Sequence, residues 1–170
     1  MTSNTARAAV RRSARRPAVD RSEAAGAAVT QLQRAASAVR QHVEQAVLRR
    51  ENLTWTAFAV LRLVSTGDRV ETRRAAAEAG IAKATLTGVA DALVARDLVR
   101  RVEHPQDRRL VLLELTAAGR RLVRRVLPAV QAEEAYALGG FERGQATQFA
   151  DLLNRLNEHL GTDDARRRRG

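Results

Sequence analysis

The chain of 170 residues contains no cysteine. Disulfides, thiolate metal sites and a thiol-based redox switch are thereby excluded, while the compartment stays open. Aromatic residues make up 3% against a hydrophobic content of 45%. The core must therefore be built from Leu, Val, Ala and Ile, and such a chain can bury more by sharing a core with a second copy. No apolar run approaches the roughly 18 residues of a membrane span, and the N-terminus lacks an apolar signal-peptide core. The expectation is a soluble cytoplasmic protein with no membrane partner. The three histidines, His42, His104 and His159, lie far apart and show no metal-ligand spacing. Neither a metal nor a cofactor is implied. A glycine-rich phosphate loop, a nucleophile elbow and a clustered acid–base set are also missing, so an enzyme is not expected.

What the chain has instead is positive charge. Thirty Lys and Arg residues stand against 19 Asp and Glu, a formal net charge of +11, and Lys83 is the one lysine. That balance favours a polyanionic partner, nucleic acid first, although a compositionally biased genome also enriches arginine. Much of the excess is terminal. Residues 1–21 hold six Arg and one Asp, and 163–170 hold four Arg and two Asp, which leaves 20 basic and 16 acidic residues between them. The first stretch, broken by Pro17, reads as a disordered basic arm, and its composition also fits an organellar transit peptide. The second reads as a basic tail.

Between the tails, apolar residues recur in helical steps at Ala28, Leu32, Ala35, Val39, Val43 and Ala46, predicting a helix from Ala24 to about Arg49. Thr54 is placed to cap a second helix, with Leu53 and Phe58 spaced as a hydrophobic staple; Phe58, Leu61 and Val64 form its buried face, and it ends at Gly67-Asp68. A short Ala-rich helix from Glu71 to Ala79 stops at Gly80, which suits a sharp helix–helix turn. The next helix, about Lys83 to Arg96, buries Leu86, Val89, Ala90 and Leu93. Two strands follow, Leu98–Glu103 and Arg109–Leu115, with Val111, Leu113 and Leu115 on one face of the second and Glu114 on the other. Thr116 caps a long helix from Ala117 to about Leu138 that Pro128 should kink. After Gly139-Gly140, a last helix carries Phe149, Leu152, Leu153, Leu156 and Leu160 on one side.

The stretch "RRAAAEAGIAKATLTGVADAL" places Ala76, Gly80-Ile81, Leu86 and Val89 as a helix-turn-helix requires, and "LVRR" at Leu98–Arg101 leads out of its second helix. With "DRR" at Asp107–Arg109, then Leu115-Thr116 and Gly119, and with "LTWTAFAVL" upstream, the middle of the chain resembles a winged helix-turn-helix. Residues 24–160 as a whole resemble the MarR family of bacterial transcription regulators. Ala75, where a larger apolar residue is usual, and Asp97, where glycine is common, depart from the pattern, as does the long basic arm.

The resemblance implies a mainly α fold with a small β-wing. It divides the chain into an arm (1–21), a MarR-type domain (22–162) and a tail (163–170). Within the domain, a winged helix-turn-helix at about 53–116 lies between dimerisation helices 24–49 and 117–160. The implied activity is sequence-specific binding of double-stranded DNA by a homodimer, as a repressor on an inverted repeat. An architectural protein that binds DNA without sequence preference is the alternative. Lys83, Ala84, Thr85, Thr87 and Gly88 would meet the major groove. Arg101, Asp107, Arg108 and Arg109 would serve the wing, with Arg109 entering the minor groove, Asp107 holding an arginine in place and Arg108 on phosphate. A small aromatic or phenolic ligand would sit among His42, Gln45, Arg49, Trp55, Phe58 and Arg62.

Overall fold

The structure, a computed structural model, describes the backbone of residues 3–167 other than 68 and 108, and the side chains of residues 22–161 other than the same two. Helix α1 runs Ser3–Ala46, so the stretch read as a disordered arm continues the first helix from residue 3 onward. Alanine and arginine, which dominate that stretch, are among the strongest helix formers. A helix already formed from residue 24 also grows into them without a second nucleation step. At the other end α6 spans Gln145–Arg167, taking in most of the stretch read as a tail. No helix among the described residues is long and apolar enough to cross a membrane.

The core forms where α1 ends. Val43 and Leu48, on a short 3₁₀ turn at Leu48–Glu51, are fully buried with Leu53 and with Phe58, Val60, Leu61 and Val64 of α2 (Trp55–Gly67). Thr54 starts α2 as expected, its Oγ1 accepting the Ala57 N–H at 3.2 Å. Helix α3 (Thr72–Glu78) buries Ala75 and Ala76. Ala75, where bulk is usual in the family pattern, is completely enclosed. The turn to α4 (Lys83–Ala95) uses Gly80 at φ +64°, with the Ile81 N–H returning to the Ala76 carbonyl at 3.0 Å. Leu86, Ala90 and Leu93 anchor α4, while Val89 is only half-buried. Burial of each such leucine contributes roughly 1.5–3 kcal/mol, and the three positions fix which face of α4 stays outside.

The sequence reading places two strands; the described residues form three. Strand β1 (Arg69–Glu71) pairs antiparallel with β3 (Val111–Leu115), whose other edge pairs with β2 (Val99–Glu103). Three residues are too few to show an alternation, and the partner of β1 lies more than forty positions away, which no local pattern reports. The face assignment of β3 also needs correction. Leu113 and Leu115 are buried as expected, but Val111 at the strand's start is 38% exposed and Leu112, on the opposite face, is buried. Register explains this: Leu112 lies between Glu71 and Val102 in a sheet that a third strand has widened.

Helix α5 (Ala117–Ala137) continues through Pro128. Its start is closely packed against the end of the α4–β2 connection. The Thr116 hydroxyl donates to the Asp97 carbonyl at 2.6 Å and accepts the Gly119 N–H at 3.0 Å. Asp97 itself is left-handed at φ +53°, the conformation that makes glycine common there. A Cβ on Gly119 would come 2.0 Å from the Leu98 carbonyl oxygen, a backbone atom that cannot rotate away. Gly119→Ala should therefore lower stability by about 3 kcal/mol or more. Urea unfolding monitored by circular dichroism checks this, and an unchanged midpoint would show that α5 does not sit so close to β2.

Candidate nucleic-acid interface

With Leu86, Ala90 and Leu93 turned inward, Lys83, Ala84, Thr85, Thr87 and Gly88 are all exposed. Thr87 Oγ1 donates to the Lys83 carbonyl at 3.1 Å, so its hydroxyl has its proton committed within the helix. A Cβ added at Gly88 would meet nothing within 4 Å. Packing inside the chain therefore does not demand this glycine, although it weakens the helix by roughly 1 kcal/mol relative to Ala.

The wing is built by β2, β3 and the turn between them. His104 Nδ1 accepts the backbone N–H groups of Gln106 and Asp107, both at 3.2 Å, and the Leu110 N–H closes onto the Asp107 carbonyl at 3.0 Å. His104 thus organises the tip, a role the sequence reading did not assign. Asp107 accepts three bonds from Arg109: the backbone N–H at 3.0 Å, Nε at 3.1 Å and Nη2 at 3.3 Å. The Arg109 side chain nevertheless remains 90% exposed. It is an oriented cation projecting from the turn, held as the sequence argument expected of Asp107. Those bonds to Arg109, side chain first and then backbone, hold the Asp107 carboxyl below the ordinary range. Arg108 lies outside the described residues.

Arg101 differs from the simple expectation of a free contact. Its Nη1 donates to Asp91 Oδ1 of α4 at 2.7 Å, which ties wing strand to recognition-type helix. Asp91 was missed, though a lone carboxylate on an exposed helix face beside an arginine-rich strand is itself a signal that it has a partner. On the same sheet Glu114 lies between Arg100 at 2.9 Å and Arg69 at 3.2 Å. Its carboxyl is held low chiefly by the Arg100 hydrogen bond.

An exposed helix face coupled to an arginine-tipped hairpin is the arrangement of a winged helix-turn-helix. Residues 53–111 match the model of the MarR family. A HTH-type transcriptional regulator of Bacillus subtilis, YwaE, is 30% identical over 133 residues, 78% of this chain and 78% of that protein. The chain belongs to the MarR family of transcription regulators. It is a DNA-binding regulator and not an enzyme. The HTH-type transcriptional repressor NicR of Pseudomonas putida is 31% identical over 74 residues, 44% of this chain and 47% of NicR. Among solved structures, Bordetella bronchiseptica BpsR, whose DNA binding is regulated by 6-hydroxynicotinic acid, superposes with a TM-score of 0.69 at 27% identity. That superposition covers 75% of this chain and 91% of BpsR.

Four of the ligand candidates of this MarR-family chain have polar or ring partners within the fold. His42 Nε2 lies 2.6 Å from Glu133 and its ring stacks on Tyr136 with centroids 5.5 Å apart. Arg62 donates to Glu134 at 3.0 Å and lies over the Phe58 ring. The backbone N–H of Trp55 donates to Glu44 at 3.0 Å, and its ring tilts against Phe58. Gln45 and Arg49 are exposed. Arg62 borders a cavity of about 320 Å³ between α2 and the end of α3. A larger cavity of about 780 Å³ lies elsewhere, between α2, the sheet and α5, with Val64, Leu115, Val123 and Leu127 in its wall and Arg69, Glu114, Arg120 and Arg124 around them.

The tip has a direct test. In carboxyl NMR titrations Asp107 should deprotonate below the usual aspartate range, and Arg109→Ala should move it back up toward that range. Because the folded-state value is the lower one, any stability linked to this group is present above the unfolded value near 3.9 and lost as pH falls through the folded value. An Asp107 titration identical in both proteins would show that the pair does not form in solution.

Proposed function

We propose that the protein is a repressor that binds an inverted-repeat operator as a homodimer in the cytoplasm and is released by a small aromatic or phenolic ligand. One observation carries the DNA reading: the exposed face of α4 is coupled through Asp91 and Arg101 to a wing whose tip extends Arg109. Helix and wing then address the major groove and the neighbouring minor groove of one half-site, Lys83 and Arg108 adding phosphate contacts.

Unpartnered apolar faces support the dimer. Leu152 and Leu160 of α6 and Val29 of α1 are exposed, and Ala28 and Ala35 of the α1 stripe are exposed as well. A two-fold assembly covers these faces and presents two reading units about one helical turn apart. Repression is supported by similarity to NicR, and release by a ligand is supported by similarity to BpsR.

Selection of bound fragments from random DNA should return a palindrome; recovery without a motif would point to an architectural protein instead. On the selected site Arg109→Ala should weaken binding by about 1–3 kcal/mol at physiological salt, and equal affinity would remove Arg109 from the interface. Light scattering should give the mass of a dimer at micromolar concentration, and a monomer there overturns the assembly.

A further inference from the structure

The outward face of α4 is chemically unusual for a helix that reads DNA. The strongest base contacts are bidentate, Arg to guanine and Asn or Gln to adenine. From Lys83 to Ala95 the helix contains no Arg, Asn or Gln. Its one carboxylate, Asp91, is bound to Arg101. Opposite the buried Leu86, Ala90 and Leu93, the outer face consists of Ala84, Gly88, Asp91, Ala92 and Ala95, with Thr85 and Thr87 at its edges. Thr87 has its hydroxyl proton on the Lys83 carbonyl, so that hydroxyl meets a base edge only as an acceptor. Methyl groups are what this face offers in number.

We propose that α4 reads thymine. Ala84, Thr85 and Thr87 place methyl groups against the C5-methyls of thymines in each half-site, and Gly88, beside them, allows the backbone to approach closely enough for those contacts. The proposal rests on α4 being the groove helix, and it names what that helix recognises. Thymine is the base distinguished in the major groove by an apolar group, and contact between methyl groups needs short range. A side chain at Gly88 would hold the helix axis away. The open space around this position shows that nothing within the chain prevents a larger residue there. Lys83, on the shoulder of the face, contributes charge toward phosphate or a guanine edge, and Arg109 reads groove width from the other side. Hydrogen-bond readout on α4 is thereby reduced to Lys83, Thr85 and the acceptor side of the Thr87 hydroxyl.

Deoxyuridine isolates the effect, since it differs from thymidine only by the methyl. With the full chain and the selected site, each half-site thymine is replaced in turn by deoxyuridine. At contacted positions affinity should fall by about threefold to fivefold, the effect of losing one buried methyl, whereas uracil outside the half-sites should change nothing. Thr85→Ser and Thr87→Ser, which keep the hydroxyl, should bind the thymine and uracil versions of their contacted position equally. Gly88→Ala should weaken operator binding while raising the melting temperature. A half-site without thymine, or uniform tolerance of uracil, overturns the thymine proposal and leaves the groove helix intact. Failure of the underlying reading looks different, because operator binding would then survive Lys83→Ala and Arg109→Ala together.

Discussion

The close contact at Gly119 joins the elements that carry the exposed face of α4 and the wing. There the start of α5 rests on the carbonyl of Leu98, with Thr116 bonded both to Asp97 and to the Gly119 amide. Three elements meet in that small volume: the end of α4, the beginning of β2 and the cap of α5. The left-handed Asp97 turns the chain out of α4, and Arg96 just before it donates to the carbonyls of Glu51 and Asn52 at 2.8 and 2.6 Å. Wing, recognition helix and long helix are thus held in one geometry. A displacement of α5 has a short mechanical route to α4, since no flexible linker lies between them.

Electrostatics around this frame follow one pattern. An excess of arginine is disciplined by a few carboxylates, each of which orients rather than neutralises. Asp107 directs Arg109, Asp91 directs Arg101, and Glu114 holds Arg69 and Arg100 across the sheet. Glu51 does the same for Arg125 on α5, which keeps the Glu51 carboxyl low through their hydrogen bond. These are exposed or half-exposed pairs, each worth little to stability. Their effect is to reduce the number of directions in which a long flexible cation can point, which matters most where the cation is to meet a phosphate or a narrow groove.

The helices were legible because their signals are local. Apolar steps of three and four, the Thr54 and Thr116 caps and Gly80 report on neighbours within a turn or two. So did the wing tip, where Asp107 and Arg109 are two positions apart. What was missed is non-local. Strand β1 exists only because β3 offers it an edge, Leu112 is buried by partners on both flanking strands, and Asp91 has meaning only beside Arg101. The N-terminal arm carried two local signals at once: its charge suggested disorder, while its Ala and Arg residues favour helix once α1 exists to extend.

Sequence alone determined the order of the helices and the two wing strands, the family pattern and the identity of the cation at the wing tip, because each is written in residues close together along the chain. Tertiary structure decided which arginines are held by a carboxylate from a distant part of the chain. It also decided that β3 has two partners and that the outer face of α4 carries mainly small side chains. Those outcomes depend on which distant groups come within a few ångströms, and only the packed core sets those distances.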